Sequence, residues 1–203
     1  MASDHYFSQS PSSEFTPRTI RATISGRVVE VTTAAGVFSP DHIDTGSQVL
    51  LGNVPAPAPG GDLLDLGCGW GPIALTMASE SPRARVWAVD VNERALSLTR
   101  RNAESLGLGN LIAALPDEVP SDVSFNTIWS NPPIRVGKDE LHTLLTHWLY
   151  RLAPGGDAWL VVQRNLGSDS LQRWLQTELT AEFTVQRAAF NKGFRVLRVR
   201  RHT

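Results

Sequence analysis

Three short stretches of the sequence combine residue types that could do chemistry. Residues 65–71 read Asp-Leu-Gly-Cys-Gly-Trp-Gly, Asp90 follows an apolar run, and residues 130–134 read Ser-Asn-Pro-Pro-Ile. Gly67, Gly69 and Gly71 let a chain turn sharply and approach a ligand with no Cβ in the way. If a helix starts just after them, its free N–H groups face the same point. The spacing is G-x-G-x-G rather than the dinucleotide G-x-G-x-x-G, and no Lys-Ser/Thr pair follows as in a phosphate-binding P-loop. Asp65, two residues ahead of Gly67, suits a ligand carrying a cationic amine better than a pyrophosphate. Asp90 at the end of the next apolar run could accept both hydroxyls of a ribose, or could only sit at the positive end of a following helix; the loop upstream favours the ribose. Asn131-Pro132-Pro133 cannot extend a sheet ladder, because neither proline has an N–H to donate. It reads as a rigid, acceptor-rich corner closing a strand.

These segments need an alternation of strands and helices to hold them, and the pattern after residue 62 supplies one. Short apolar strands are predicted at Leu63–Leu66, Val86–Asp90, Leu111–Ala114, Phe125–Ser130 and Ala158–Val162. Helices are predicted over Gly71–Glu80, with Pro72 in the first turn, after Asn92 as N-cap, and over 138–152, where Leu141, Leu144, Leu145, Trp148, Leu149 and Leu152 fall at helical spacing. Pro154-Gly155-Gly156 is expected to stop that helix, and Ser168 to cap another carrying Leu171, Trp174, Leu175 and Leu179. Two closing strands, 183–190 and 194–201, are joined by a tight Asn191-Lys192-Gly193 turn. Near-continuous apolar strands separated by helices mean a parallel sheet covered on both faces. The fold class is therefore α/β, a Rossmann-like, seven-stranded, mostly parallel sheet with an antiparallel C-terminal hairpin strand. Ahead of it, residues 1–53 read as an irregular arm and a β-hairpin around Ser25-Gly26, and 54–203 as the catalytic domain.

Composition narrows the classes. The 203 residues carry a net charge of −1, so the overall field gives no sign of a nucleic-acid partner. Yet from Gln186 onward Arg187, Lys192, Arg195, Arg198, Arg200 and Arg201 appear with no acidic residue. That run is either a phosphate-binding patch or an edge strand kept soluble by charge, and the sequence leaves both open. Cys68 is the only cysteine, which excludes an internal disulfide and fits a cytoplasmic setting. Its place in a tight turn suits a small residue better than a nucleophile. No apolar run is long enough for a membrane helix, and the first residues lack a signal pattern. His142 and His147 are five apart on one predicted helix and His5 and His42 have no paired ligand nearby in sequence, so no metal site is expected.

Taken together, Asp-Leu-Gly-Cys-Gly-Trp-Gly, Ala-Val-Asp and Asn-Pro-Pro resemble the class I S-adenosylmethionine-dependent methyltransferases that modify planar exocyclic nitrogens. The stretches His5–Ser8, Phe38–Leu51 and Asn191–Arg201 are similar to the methyltransferase small domain group and its small-subunit rRNA guanine-N2 enzymes. The resemblance implies S-adenosyl-L-methionine as cofactor, with Asp65, Gly67, Cys68, Gly69 and Gly71 along its methionine part. It further implies Asp90 and Val91 at the ribose, Asp117 at the adenine, and Asp44, Thr45 and Gly46 in a segment packed over the cofactor. Asn131, Pro132, Pro133 and Ile134 would form the catalytic motif, Asn131 also meeting the cofactor. The Asn131 side-chain carbonyl and the Pro132 backbone carbonyl would hold the two N–H groups of an amine, aiming its lone pair at the methyl. Arg135 and Lys138 would then meet a phosphate. The implied partner is ribosomal RNA or the small ribosomal subunit, acted on by a monomer without metal or membrane. The same motif also serves methylation of protein glutamine or of adenine, and those acceptors stay open. Where relatives often place an aromatic residue after the prolines this chain has Ile134. Where some carry a second methyltransferase-like domain, it has residues 1–61.

Overall fold

In the computed structural model, residues 14–203 are described, apart from the side chain of Arg135; the stretch His5–Ser8 lies outside the described residues. The chain runs through β1 (Arg18–Ile24), β2 (Arg27–Thr33), α1 (Thr45–Leu51), β3 (Asp62–Leu66), α2 (Pro72–Glu80), β4 (Arg85–Val89), α3 (Glu93–Ser105) and β5 (Leu111–Ala114). It continues through β6 (Phe125–Ser130), α4 (Lys138–Leu149), β7 (Leu152–Gln163), α5 (Ser168–Glu178), β8 (Phe183–Asn191) and β9 (Phe194–Arg201). β1 and β2 form a two-stranded hairpin. The other seven strands form one sheet in the order β5-β4-β3-β6-β7-β9-β8. The first five of that order are parallel, and β9 runs antiparallel to both β7 and β8. The order reverses at β3, which has β4 on one side and β6 on the other, and ligands collect beyond the carboxyl ends of strands at such a point.

Apolar strands bury both faces because successive side chains alternate. Leu64, Trp87 and Ile128 face Leu145, Trp148 and Leu175 of α4 and α5. Leu63, Val86 and Trp129 face the opposite way, toward Leu50, Ile73, Met77 and Leu96 of α1, α2 and α3. The hairpin turns through Ser25 and Gly26, both at positive φ as its two-residue loop requires. It buries Ala22, Ile24 and Val31 against Leu75, Leu98 and Ala103 of α2 and α3.

The structure amends three local expectations. α4 stops at Leu149, and Pro154-Gly155-Gly156 lies inside β7 rather than ending the helix. There the pairing with β6 jumps from Phe125–Leu152 to Thr127–Asp157, so the run is a bulge. A Cβ on Gly156 would stand 2.8 Å from the Phe125 carbonyl oxygen, which only glycine avoids. Ser168 does not cap α5: Gly167, at φ +98°, occupies that position and Ser168 is the first helical residue, its hydroxyl buried without a partner. Finally, α1 has no counterpart among the predicted helices, since seven residues give too short a run for a helical period to show.

Candidate active site

The glycine loop is tied down strand by strand. Gly67 and Cys68 both donate their N–H to the Val89 carbonyl, at 2.8 and 3.0 Å, which fixes the loop to the end of β4. Gly67, Gly69 and Gly71 all have positive φ, +80°, +56° and +100°, a region L-residues seldom adopt. Gly71 stands at the N-cap of α2 with Pro72 in its first turn, as the missing proline N–H allows. Behind the loop, Asp65 is fully buried; its Oδ2 accepts the Ala74 N–H of α2 at 2.9 Å and its Oδ1 has no partner. Burial pushes its pKa to about 8, the Ala74 N–H only partly offsetting the loss of water. Cys68 is buried too, and desolvation with the nearby Asp90 and Asp65 carboxyls raises its thiol further, so it is a packing residue and not a nucleophile.

Asp90 sits just past β4 and joins the loop to the next helix. Its Oδ2 accepts Gly69 N–H and its Oδ1 accepts Asn92 N–H, both at 2.9 Å. The Val91 N–H also bonds this carboxylate, and burial, outweighing the three N–H groups, raises its pKa above the usual carboxylate value. Asn92 caps α3 through the N–H groups of Arg94 and Ala95, and its Nδ2 donates to the Gly36 carbonyl at 2.8 Å. Trp70 Nε1 donates to Ser39 O at 3.0 Å. These two bonds draw the segment ahead of α1 over the glycine loop and bring Phe38 to the site.

Across the order reversal, Ser130 Oγ donates to the Leu66 carbonyl at 2.7 Å, binding the end of β6 to the end of β3. The Asn131 carbonyl oxygen lies 4.0 Å from where a Gly67 Cβ would stand, so the corner and the loop face each other closely. Asn131 Nδ2 donates to Asp44 Oδ2 at 2.8 Å and to Ser47 Oγ at 3.2 Å. Its side-chain carbonyl is therefore the end left for another partner. The Pro132 carbonyl accepts the Ile134 N–H at 2.9 Å, which leaves it one lone pair.

Loop and corner share one cleft of about 360 Å³. Of the residues singled out from the sequence, Asp44, Gly67, Gly69, Asp90, Val91, Asn131, Pro132, Pro133 and Ile134 line it. Cys68 borders a small annex of about 20 Å³ beside it. Thr45, Gly46, Asp65, Gly71 and Asp117 do not form its wall. Asp117 is exposed on a 3-10 turn, and its neighbour Pro116 lines the cleft instead. Sequence reasoning missed Phe38, Leu144, Gln163, Leu166 and Phe194 as wall residues. Leu144 falls on the apolar face of α4 and reads as core; Phe194 is a hairpin residue. Neither carries a local mark of a ligand site.

The basic run of the closing hairpin is largely neutralised. Arg198 and Arg200 pair with Asp157, Arg187 and Arg195 with Asp169, and Arg201 with Glu182. By contrast, Arg164 and Lys192 are exposed and have no ion-pair partner among the described residues; the Arg164 N–H meets the Gly193 carbonyl at 2.8 Å, beside the cleft residues Gln163 and Phe194. His142 and His147 border one shallow groove with Trp174 and Glu178 despite their spacing, but among the described residues no group of three or more His, Cys, Asp or Glu is placed to hold a metal. No described helix is long and apolar enough to cross a membrane.

The methyltransferase small domain family matches residues 28–198. An uncharacterized protein of Bacillus subtilis, YbxB, is 34% identical over 202 residues, covering 98% of this chain and 99% of its own. The ribosomal RNA small subunit methyltransferase C of Aeromonas hydrophila is 42% identical over 104 residues, but these are 50% of this chain and only 29% of that enzyme. Among solved structures, the T. thermophilus 16S rRNA N2 G1207 methyltransferase, in complex with AdoMet and guanosine, superposes with a TM-score of 0.77 at 24% identity, over 95% of this chain and 52% of that one. The chain thus spans about half or less of these two rRNA enzymes. Matched by the family along most of its length, and carrying the family's glycine loop and Asn-Pro-Pro corner in one cleft, the chain belongs to the methyltransferase small domain family of class I S-adenosylmethionine-dependent methyltransferases.

Proposed function

We propose that this protein methylates the exocyclic amine of a nucleobase, guanine N2 in small-subunit ribosomal RNA. The carrying observation is the Asn131 amide, pinned through its nitrogen and leaving its carbonyl for a partner, at a corner that faces the glycine loop across one cleft.

The residues at the β3–β4 end fit the cofactor. Asp90 presents its carboxylate to the cleft, where a ribose hydroxyl can donate to it, and Phe38, Val91, Ala95 and Pro116 form apolar walls suited to a flat ring. Asp65 lies buried just behind the loop with its Oδ1 unpartnered, and a cationic amine bound nearby would favour its ionised form. S-adenosylmethionine bound there supplies a methyl group activated by a sulfonium. The chain's own residues present the acceptor. An exocyclic amine is a poor nucleophile because its lone pair is delocalised into the ring. Two carbonyl oxygens, Asn131 Oδ1 and Pro132 O, can take its two hydrogens and aim the lone pair out of the ring plane. Those same oxygens stabilise the positive charge that develops on the nitrogen. No strong base is required, since the amine becomes acidic only after it is alkylated. Ile134, Leu144 and Leu166 make the surroundings of the corner apolar, which holds water off the reacting amine and strengthens both hydrogen bonds.

Two observations support an RNA acceptor: the rRNA enzymes named above are relatives, and Arg164 and Lys192 put unpaired positive charge near the cleft where a backbone phosphate could rest. The test is transfer of tritiated methyl from S-adenosylmethionine to 30S subunits, naked 16S rRNA, DNA and a glutamine-containing release factor. Label at a guanine N2 of the subunit or its RNA is the expected result. Label only on adenine or on protein would overturn the acceptor assignment while leaving the chemistry in place.

A further inference from the structure

A carboxamide can face its substrate with either end. Turned one way, Asn131 offers an acceptor; turned the other, it offers two N–H donors, and an amine that needs acceptors is served only by the first. The torsion that separates the two states is broad and nearly two-fold, so the residue itself barely chooses. Its neighbours choose. Ser47 Oγ could donate or accept, but the Asp44 carboxylate can only accept. A flipped amide would set two lone-pair-bearing oxygens 2.8 Å apart. Nor can Asp44 swing away, because its Oδ2 also accepts the N–H groups of Gly46 at 2.7 Å and Ser47 at 3.4 Å in the first turn of α1. Gly46 is what lets this turn come so near: a Cβ there would stand 2.9 Å from Asp44 Oδ2 and 3.1 Å from Asn131 Nδ2.

We propose that Asp44 is a positioning residue for methyl transfer, holding the Asn131 amide with its carbonyl toward the acceptor amine and polarising that carbonyl through the amide. The proposal rests on the reading of Asn131 given above and extends it to a residue 87 positions away. It also gives α1 a purpose. A helix of seven residues, too short to be stable alone, serves as the mount that fixes a carboxylate under the catalytic corner. The negative charge lies one amide away from the nitrogen that turns cationic, so its influence grows as transfer proceeds.

The experiment compares Asp44→Asn and Asp44→Ser with the native enzyme. Asn, Ser and Asp cap helices about equally, so α1 is kept in both variants. Asn keeps an oxygen within reach of Asn131 Nδ2 but loses the charge; Ser is too short to reach. Expected are a kcat reduced about 10–100-fold in Asp44→Ser, the size of loss seen when an orienting partner is removed, a smaller reduction in Asp44→Asn, and unchanged S-adenosylhomocysteine affinity by calorimetry. In an Asn131→Ala background the Asp44→Ser change should cost nothing more. The Asn131 side-chain amide protons, followed by 15N NMR, should exchange faster with solvent in Asp44→Ser. Additive losses in the double variant, a weakened S-adenosylhomocysteine affinity that accounts for the lost rate, or unchanged amide exchange would each overturn the proposal. Should the native enzyme methylate no nucleic acid, the reading of its acceptor fails instead, and the exchange measurement still decides whether Asp44 holds Asn131.

Discussion

The two ends of the cleft are built in different ways. At the β3–β4 end the groups that matter are close in sequence and locked by backbone: Gly67 and Cys68 on Val89, Gly69 and Asn92 on Asp90, Ala74 on Asp65. At the β6–β7–β9 end they are collected from afar: Asn131 just past β6, Asp44 capping α1, Leu144 from α4, Gln163 at the end of β7, Leu166 after it, Phe194 from β9. The first end sets backbone-tied carboxylates among apolar walls and is suited to one ligand. The second is an apolar wall with a single oriented amide. A shared cofactor can be met by one local motif, whereas an acceptor is recognised by whatever side chains the fold brings to the far side, so the far side is where relatives with the same motif can differ.

The largest expected effect breaks the second end alone. Asn131→Ala removes the amide carbonyl and should lower kcat by about 10²–10³-fold, as loss of one oriented hydrogen-bonding group does elsewhere. S-adenosylhomocysteine affinity, read by calorimetry, should hold. Asp90→Asn tests the first end in the opposite sense. It keeps an oxygen for a backbone N–H but loses charge and one acceptor, so the KM for S-adenosylmethionine should rise about tenfold, equivalent to roughly 1.4 kcal/mol, with a much smaller change in kcat.

A pH series sharpens the contrast further, since Asp65 lies behind the glycine-loop end only. Its folded-state pKa of about 8 stands above the unfolded value of about 4. Between those limits the native state holds a proton that the unfolded chain releases, so this group makes stability fall as pH rises through the window, with no further loss above it. Asp65→Asn mimics the protonated acid. Its melting temperature should come nearest that of the native protein at about pH 4 and exceed it by several degrees at pH 9, measured without cofactor by scanning calorimetry. The mildest change concerns the acceptor wall. Ile134→Phe supplies the ring that relatives often carry there, and stacking on a base is worth about 0.5–1.5 kcal/mol. The KM for RNA should fall by a matching factor while cofactor binding stays put.

This division also governs what the sequence could reveal. The parallel sheet was legible because its strands are uninterrupted apolar runs bounded by glycine or polar residues, and the glycine-loop end because its glycines and carboxylates fall at short spacings. α1 was not legible, being too short to show a period. The Asp44–Asn131 bond joins segments 87 residues apart, a distance no local pattern encodes. The sequence left the basic hairpin undecided for a similar reason: its arginines look unopposed along the strand, but Asp157 on β7 and Asp169 on α5 reach them across the fold. The exposed Arg187–Asp169 pair adds only about 0–1 kcal/mol, yet together these pairs remove most of the free charge that a phosphate would need. Leu144 shows the limit of periodicity from the other side, since its place on the apolar face of α4 is real but it turns toward the cleft.

Most directly of all, the central claim is tested by crystals of the enzyme soaked with S-adenosylmethionine and guanosine. The expected result is the base in the apolar end with its amine hydrogen-bonded to Asn131 Oδ1 and Pro132 O, and the amine nitrogen about 3–3.5 Å from the methyl carbon. A methyl group directed away from Asn131, or Asn131 turned with its Nδ2 toward the base, would contradict it.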